Sequence, residues 1–218
     1  MALSNDELAQ GLIGELEGFG KLVAGLTDAD LEAATRCEGW TVRDVAAHVI
    51  GTIVWITQGR LADLADPAHT QVQADERAGR SPGELADELT AALPAAQGLM
   101  DAFPEEAWSQ PVGDGFEGSL ADGIEALWYD AYVHADDIRA ALGALTEAGP
   151  GLRCAVQHVA AFLPAAGFGP ATVKLDGFDP IDVGGAGGPE VSGDPHQFVL
   201  AATGRQSAFG GVPSIYAE

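Results

Sequence analysis

Four strong helix-start signals most constrain how this 218-residue chain can fold. At each signal, a Ser or Thr is followed three residues later by Glu or Asp, the capping-box pattern of a helix N-terminus. The four pairs are Ser4 with Glu7, Thr41 with Asp44, Ser81 with Glu84, and Ser119 with Asp122. Each pair precedes apolar residues at the three- and four-residue spacing of one helix face. The pattern therefore predicts four long helices arranged as a bundle.

The same signals set approximate bounds for the helices and loops. We expect the second helix to run to about Leu64, because apolar residues continue at helical spacing up to a proline. The polar segment 66–80 is predicted to be a connection. The segment 104–118, which is rich in Pro, Gly and acidic residues, is predicted to be a second long loop.

The last third of the chain has a different character, because Gly and Pro become frequent from Gly149 onward. Short runs typical of strands lie there between two predicted helices. The predicted elements are a helix near 152–163, strands near 172–175, 181–183 and 190–192, and a helix that ends near Thr203. We therefore predict a mainly α protein with two domains, a helical bundle at 1–147 and a small α+β domain at 148–218.

The charge balance excludes several classes of partner. The chain carries 33 acidic and 10 basic residues, which gives a formal net charge of -23. Phosphate binding depends on clustered Lys and Arg, so nucleic acid is excluded, and the same charge opposes docking on anionic lipid. No long apolar window and no signal peptide is recognisable, so we expect a cytoplasmic protein with no membrane span. Cys37 and Cys154 are expected to be reduced thiols.

A candidate metal site involves two histidines on predicted helices. Asp130 and His134 are four residues apart, and side chains at this spacing project from the same helix face. An imidazole and a carboxylate so placed can share one divalent cation. His48, on the second helix, is a third ligand if the fold brings it to the other two. The alternative is a solvated or mutually hydrogen-bonded pair, and the spacing alone does not decide between the two.

Three segments resemble the motifs of a known family. Residues 37–48 read Cys-Glu-Gly-Trp-Thr-Val-Arg-Asp-Val-Ala-Ala-His, and residues 132–143 read Tyr-Val-His-Ala-Asp-Asp-Ile-Arg-Ala-Ala-Leu-Gly. The third and weakest is Ser-Gly-Asp-Pro at 192–195 with Gly-Arg at 204–205. In these segments the chain resembles the mycothiol-dependent maleylpyruvate isomerase family of the DinB-like superfamily. It departs from the family pattern at Asp130, where Glu is usual, and at Glu38, where Pro is usual.

The resemblance implies a DinB-like four-helix bundle that binds a divalent metal, usually zinc, through His48, Asp130 and His134. It also implies mycothiol as a cofactor, whose metal-bound thiolate adds to a small electrophilic substrate. The outcome is then an isomerisation of the maleylpyruvate type or an S-transfer. Arg205 matches an Arg that assists an anionic substrate in the family, which makes it the predicted catalytic residue. Its alternative role is that of a cation near a helix C-terminus.

Other functions stay open at this stage. A metal without a thiol can act as a Lewis acid or activate water in a lyase, a hydrolase or a biosynthetic enzyme. Asp at position 130 is also compatible with a non-catalytic helical binding module that keeps a vestigial site. If the family assignment holds, the acidic composition favours a neutral or weakly charged electrophile over a dicarboxylate. We further expect Asp137 either to orient the His134 imidazole or to be solvated. The histidines expected to be structural are His69, His158 and His196.

Overall fold

The computed structural model describes residues 3–61, 64, 68–113, 116–146, 148–206 and 209–216. It confirms the predicted fold class, a mainly α protein with a small sheet in its C-terminal part. The chain divides into two compact units, Leu3–Glu147 and Ala148–Glu218, and each is described by itself.

In its described residues, the first unit contains four long α-helices and one short α-helix. All four predicted capping boxes are formed, at Ser4, Thr41, Ser81 and Ser119. In each box the side-chain oxygen accepts a hydrogen bond from a backbone N–H that the helix itself leaves unpaired. The helices are α1 Asn5–Ala24, α2 Val42–Thr57, α3 Ala68–Asp75, α4 Pro82–Ala102 and α5 Leu120–Ala141.

The four long helices pack as a bundle around an apolar core. Helices α1 and α2 each pack against both α4 and α5. The α1–α5 contact depends on Gly11, because a Cβ at this position would lie 2.0 Å from the Trp128 ring. Leu16, Phe19 and Ile50 are among the side chains fully removed from water. Such burial contributes about 25 cal/mol per Å² of apolar surface, so the core rather than the caps supplies most of the stability.

Two predicted boundaries are wrong in this unit. Helix α2 ends at Thr57 rather than near Leu64, because Gln58 caps it and Gly59 has a φ of 76°, where a helix cannot continue. The predicted connection at 66–80 contains α3, which buries Gln73 and Ala74. The proline expected to end α2, Pro67, lies outside the described residues.

The predicted loop at 104–118 also contains regular structure. A 3₁₀ turn, Glu105–Ser109, leads into a short antiparallel hairpin of β1 Pro111–Gly113 and β2 Phe116–Ser119. This hairpin ends at the residue that caps α5.

The second unit has a three-stranded mixed sheet with a helix before it and a helix after it. Strand β3 lies in the centre, antiparallel to β4 and parallel to β5. Helices α6 and α7 pack against each other, and the side chains of Val173 and Phe198 are fully buried. The elements are α6 Pro150–Phe162, β3 Ala171–Leu175, β4 Ile181–Val183, β5 Glu190–Gly193 and α7 Pro195–Ala202.

The length and hydropathy of the helices show whether any of them could cross a membrane. In the part of the chain that the structure describes, none is both long enough and apolar enough to cross a membrane.

Candidate metal centre

A short ordered loop before α2 presents side chains to α5. An isolated β-bridge pairs Ala34 with Thr41, and within it the backbone N–H of Trp40 donates to the carbonyl of Cys37 at 3.0 Å. The turn requires Gly39, whose φ of 79° lies in the left-handed region that favours glycine. The Thr35 hydroxyl donates to the Trp40 carbonyl at 2.9 Å. The loop therefore has a definite shape, and Arg36 and Cys37 contact α5 from it.

Three predicted ligands meet between α2 and α5. Nε2 of His48 lies 3.5 Å from Oδ2 of Asp130, and Nε2 of His134 lies 3.4 Å from Oδ1 of the same carboxylate. One ligand atom from each residue lies within 4.8 Å of the other two. The two imidazole rings are perpendicular, with centroids 5.3 Å apart. The geometry therefore presents two imidazole nitrogens and a carboxylate to one point.

The site is sheltered but open on the carboxylate side. The side chains of His48 and His134 are 13% and 12% exposed, whereas that of Asp130 is 33% exposed. Trp40 stands edge-on to the His48 ring, with centroids 5.5 Å apart. A small ligand can therefore approach from the side of Asp130 while the imidazoles stay packed.

The electrostatics of the site favour bound positive charge. Burial alone would raise the pKa of Asp130, but attraction to His134 and His48 and hydrogen bonds from both hold that pKa far below its usual range. Burial alone would lower the pKa of His134, but the Asp130 charge and the hydrogen bonds to Asp130, Asp137 and Cys37 raise it well above the ordinary value. The carboxylate is thus strongly anionic and attracts a cation, which is a proton on His134 when no metal competes for it.

His134 has a second, fully buried carboxylate partner. Its Nδ1 lies 3.0 Å from Oδ2 of Asp137, whose side chain has 0% exposure. Asp137 also accepts from Nε of Arg36 at 3.1 Å and from the thiol of Cys37 at 3.3 Å. A buried carboxylate is costly unless it is paired and hydrogen-bonded, and these contacts meet both conditions.

The anchor of this network is Arg36. Its guanidinium also pairs with Asp136, which in turn accepts from the hydroxyl of Thr146. One arginine from the loop before α2 therefore holds two consecutive buried carboxylates of α5.

His48 has a neutral partner instead. Its Nδ1 lies 2.7 Å from Oε1 of Gln73, whose residue is 2% exposed. The Thr52 hydroxyl donates to the same oxygen at 3.3 Å. The Gln73 side-chain oxygen thus accepts from the Thr52 hydroxyl and is placed to accept a proton on Nδ1 of His48 as well.

Helix α3, which carries Gln73, lies close against α2. The approach depends on Gly51, since a Cβ there would lie 2.8 Å from both Cβ of Gln73 and Nη1 of Arg77. Glu76, the residue after the helix, accepts from the Trp55 indole at 2.9 Å. The guanidinium of Arg77, which is 3% exposed, pairs with Glu88 of α4 at 2.9 Å.

The chain is similar in sequence and in fold to known proteins. A model of the mycothiol maleylpyruvate isomerase N-terminal domain matches residues 14–139, more than half of the chain. The chain belongs to this family. The matched residues include the loop before α2, the three candidate ligands and their hydrogen-bond partners.

Two solved structures share the fold of this family member. One is described as the crystal structure of the mycothiol-dependent maleylpyruvate isomerase. It has 18% sequence identity and a TM-score of 0.70, over 95% of this chain and 92% of that one. The other is a histidine-to-alanine mutant of the mycothiol-dependent maleylpyruvate isomerase, with 17% identity, a TM-score of 0.69, and coverage of 94% and 91%. No curated protein matches the sequence. At these identities the likeness establishes the fold alone.

The other predicted residues of this family member are described within their own units. Arg205 is in the second unit, just beyond α7, where its backbone N–H donates to the Leu200 carbonyl at 2.8 Å. Its catalytic role stays a prediction. The His69 ring lies edge-on to Trp55 with centroids 5.9 Å apart, and the His158 ring is tilted against Phe162 with centroids 4.7 Å apart. Their structural role stays a prediction.

Two members of the site were missed by the sequence analysis. Gln73 lies in a segment that was predicted to be a loop. No sequence spacing relates Arg36 to a residue of α5. Both contacts join residues far apart in the chain, so no local pattern could reveal them.

A second cluster of ligand types is better explained without a metal. Cys37, His134 and Asp137 also lie within 4.8 Å of one another. However, the Arg36 guanidinium already neutralises Asp137 and would repel a second cation. We therefore interpret this cluster as a hydrogen-bonded network that supports His134.

Proposed function

We propose that the chain is a metal- and mycothiol-dependent enzyme that acts on a small electrophilic substrate, by isomerisation of the maleylpyruvate type or by S-transfer. The observation that carries the proposal is the convergence of His48, Asp130 and His134 inside a bundle of this family. Two imidazoles and one carboxylate, with room for a further ligand, are the donor set of a catalytic zinc site.

The separations between the ligand atoms are compatible with such a metal. Ligand atoms about 2.0–2.2 Å from a tetrahedral zinc lie about 3.3–3.6 Å from one another. Nε2 of His48 lies 3.5 Å from one oxygen of the Asp130 carboxylate, and Nε2 of His134 lies 3.4 Å from the other. Asp130 therefore reaches both histidines in spite of being one methylene shorter than the Glu usual at its position. This argues against a vestigial site.

The chain and its cofactors have separate roles in the proposed reaction. A divalent metal, zinc by the donor set, supplies a coordination position at which the thiol of mycothiol loses its proton at neutral pH. His48, Asp130 and His134 would hold the metal, and the two imidazoles are largely shielded from water. The exposed side of Asp130 is the approach for thiol and substrate. Arg205 remains the proposed partner of a substrate carboxylate.

The charges of the first unit favour a neutral or weakly charged electrophile. Five arginines in its described part already have carboxylate partners, which reduces the positive charge that each guanidinium offers to an anionic substrate. The pairs are Arg36 with Asp136 and Asp137, Arg43 with Glu32, Arg60 with Glu76, Arg77 with Glu88, and Arg80 with Glu88.

Metal content and thiol dependence test the proposal together. We expect about one divalent metal per chain by mass spectrometry, a strong loss in His48→Ala and in His134→Ala, and no loss in His69→Ala as the matched control. The metal-loaded protein should convert maleylpyruvate, or consume a neutral electrophile such as monochlorobimane, only when mycothiol is present.

Two outcomes would overturn the proposal. Wild-type protein that binds no metal after incubation with zinc would exclude the site. Conversion that proceeds without mycothiol would replace the thiol mechanism by direct Lewis-acid or metal-bound water chemistry.

A further inference from the structure

The two histidines of the site have partners of different charge on their outer nitrogens. Nδ1 of His134 lies against the ionised, fully buried Asp137 at 3.0 Å. Nδ1 of His48 lies against the neutral Gln73 amide at 2.7 Å. In both cases the inner nitrogen, Nε2, lies within 3.5 Å of Asp130. Because both outer partners can accept a proton from Nδ1, each ring can ligate a metal through Nε2 in place of its hydrogen bond to Asp130.

We propose that Asp137 and Gln73 are positioning residues that select the metal-binding tautomer of His134 and His48, and that Asp137, with its charge, makes His134 the stronger donor. The proposal rests on the proposed function, because it concerns the affinity of the same site for a divalent metal. Hydrogen bonds from ligating histidines to such partners orient the ring and raise its basicity.

Each partner is itself held rigidly, as a positioning role requires. The Arg36 guanidinium lies 3.0 Å from Oδ1 of Asp137, so that Oδ2 remains for His134. The Thr52 hydroxyl keeps the oxygen of the Gln73 amide toward His48. Neither partner can turn away without leaving a buried polar group unsatisfied, which is costly.

The Gln73 position allows a test in which the charge alone changes. Glu at this position presents a carboxylate to Nδ1 of His48, with nearly the same shape as Gln. The Arg77 guanidinium, which donates to the backbone carbonyl of Gln73 at 3.0 Å, supplies a counter-charge nearby. Leu at this position removes the acceptor altogether.

The experiment is a competition titration with Co²⁺ and a chromophoric chelator on the full chain. We expect Gln73→Leu to weaken Co²⁺ binding about 10- to 100-fold, the loss typical of an outer partner of a ligating His. Gln73→Glu should bind at least as tightly as wild type. Gln97→Leu makes the same change on α4, where the Gln97 amide donates to Asp101 at 2.7 Å, and it should bind Co²⁺ as wild type does.

The Asp137 side is tested in parallel. Asp137→Asn should weaken Co²⁺ binding by about 10-fold or more. Asp136→Asn also removes a buried carboxylate bonded to Arg36, but one that does not contact His134, so it should weaken Co²⁺ binding less than Asp137→Asn does. If Asp137→Asn fails to fold, the opposite effects of Gln73→Leu and Gln73→Glu on Co²⁺ affinity still test the proposal.

A readout other than affinity separates positioning from stability. Unfolding of each metal-free variant in urea reports its structural cost. If Gln73 had a purely structural role, Gln73→Leu and Gln73→Glu would both lower Co²⁺ affinity, each in proportion to its loss of unfolding free energy. That result would overturn the proposal. Wild-type affinity in both Gln73→Leu and Asp137→Asn would also overturn it. Absence of Co²⁺ binding in the wild type would instead overturn the proposed function.

Discussion

The two sides of the metal site are built in different ways. The side of His134 is ionic, since Asp137 and Asp136 of α5 share one guanidinium from the loop before α2. The side of His48 is neutral, and depends on an amide carried by the short helix α3. An ionic network fixes its members strongly but fails badly when one is removed, whereas a neutral bond costs less to form and less to lose. The following predictions break or sharpen this difference.

The largest effect is expected where the two sides meet, at Asp130. Asp130→Ala removes the carboxylate that both Nε2 atoms face. Because it removes a ligand rather than an outer partner, the loss of metal affinity should exceed the about 100-fold limit of outer-partner changes. Metal content after zinc loading measures it. Asp101→Ala, an exposed aspartate of α4, is the control, and metal retained in Asp130→Ala would contradict the ligand assignment.

Breaking the ionic side should cost stability as well as affinity. Arg36→Met leaves the fully buried Asp137 carboxylate without its counter-charge. Since Arg36 is 25% exposed and water can partly replace it, we expect a loss of about 2–3 kcal/mol rather than the full cost of a buried pair. Urea unfolding of the metal-free protein measures the loss. A cost no greater than that of Gln73→Leu would remove the distinction between the two sides.

The neutral side can be strained without touching a hydrogen bond. Gly51→Ala places a Cβ 2.8 Å from Cβ of Gln73, so α3 must shift away from α2. We expect a loss of about 1–2 kcal/mol from overpacking, together with weaker Co²⁺ binding. Gly14→Ala, a helical glycine of α1 with nothing within 4 Å of its Cβ, should instead stabilise by about 0.5–1 kcal/mol. Equal effects of the two changes would argue against a close α2–α3 contact.

The smallest expected effect is a pH dependence of the unfolding free energy that comes from Glu76, next to α3 on the side of His48. Burial alone would raise the pKa of Glu76, but hydrogen bonds from Trp55 and Arg60 and the charges of Arg60 and Arg77 lower it. A carboxyl with a lowered folded pKa stabilises the fold above its ordinary value of 4.5, and this stabilisation is lost as pH falls through the folded pKa. Glu76 is 40% exposed, so solvent screening limits the effect to about a few tenths of a kcal/mol.

Comparison of Glu76→Gln with wild type tests this sign. The variant should be slightly less stable than wild type at pH 7, and the difference should vanish once the pH has fallen below the folded pKa of Glu76, where both proteins carry a neutral side chain. A difference that grew toward low pH would mean that the Glu76 charge is unfavourable. The hydrogen-exchange rates of the α3 amides show whether the change is local.

Much of the bundle could be predicted from the sequence, because helix starts are local. The capping boxes at Ser4, Thr41, Ser81 and Ser119 all form where the pattern predicts. The end of α2 was missed, since apolar spacing continues past Thr57 and the left-handed Gly59 gives a weak signal among many glycines. Helix α3 was missed because its sequence is polar and weakly amphipathic.

The candidate site was predictable in part for the same reason. Asp130 and His134 share one helix face by spacing, so their proximity is a local property. The place of His48 came from the family resemblance, and its 3.5 Å approach to Asp130 depends on the packing of α2 against α5. The partner expected for His134, Asp137, lies at hydrogen-bond distance from it.

The sequence by itself determined the four helix starts, the change of character after residue 148, the family motifs and one pair of ligand types, because each is written within a few consecutive residues. Only the tertiary structure decided which residue contacts the Nδ1 atom of each histidine. Arg36 meets Asp137 and Gln73 meets His48 across 101 and 25 positions of the chain. Such contacts depend on how helices pack, and packing depends on all the side chains of the core at once.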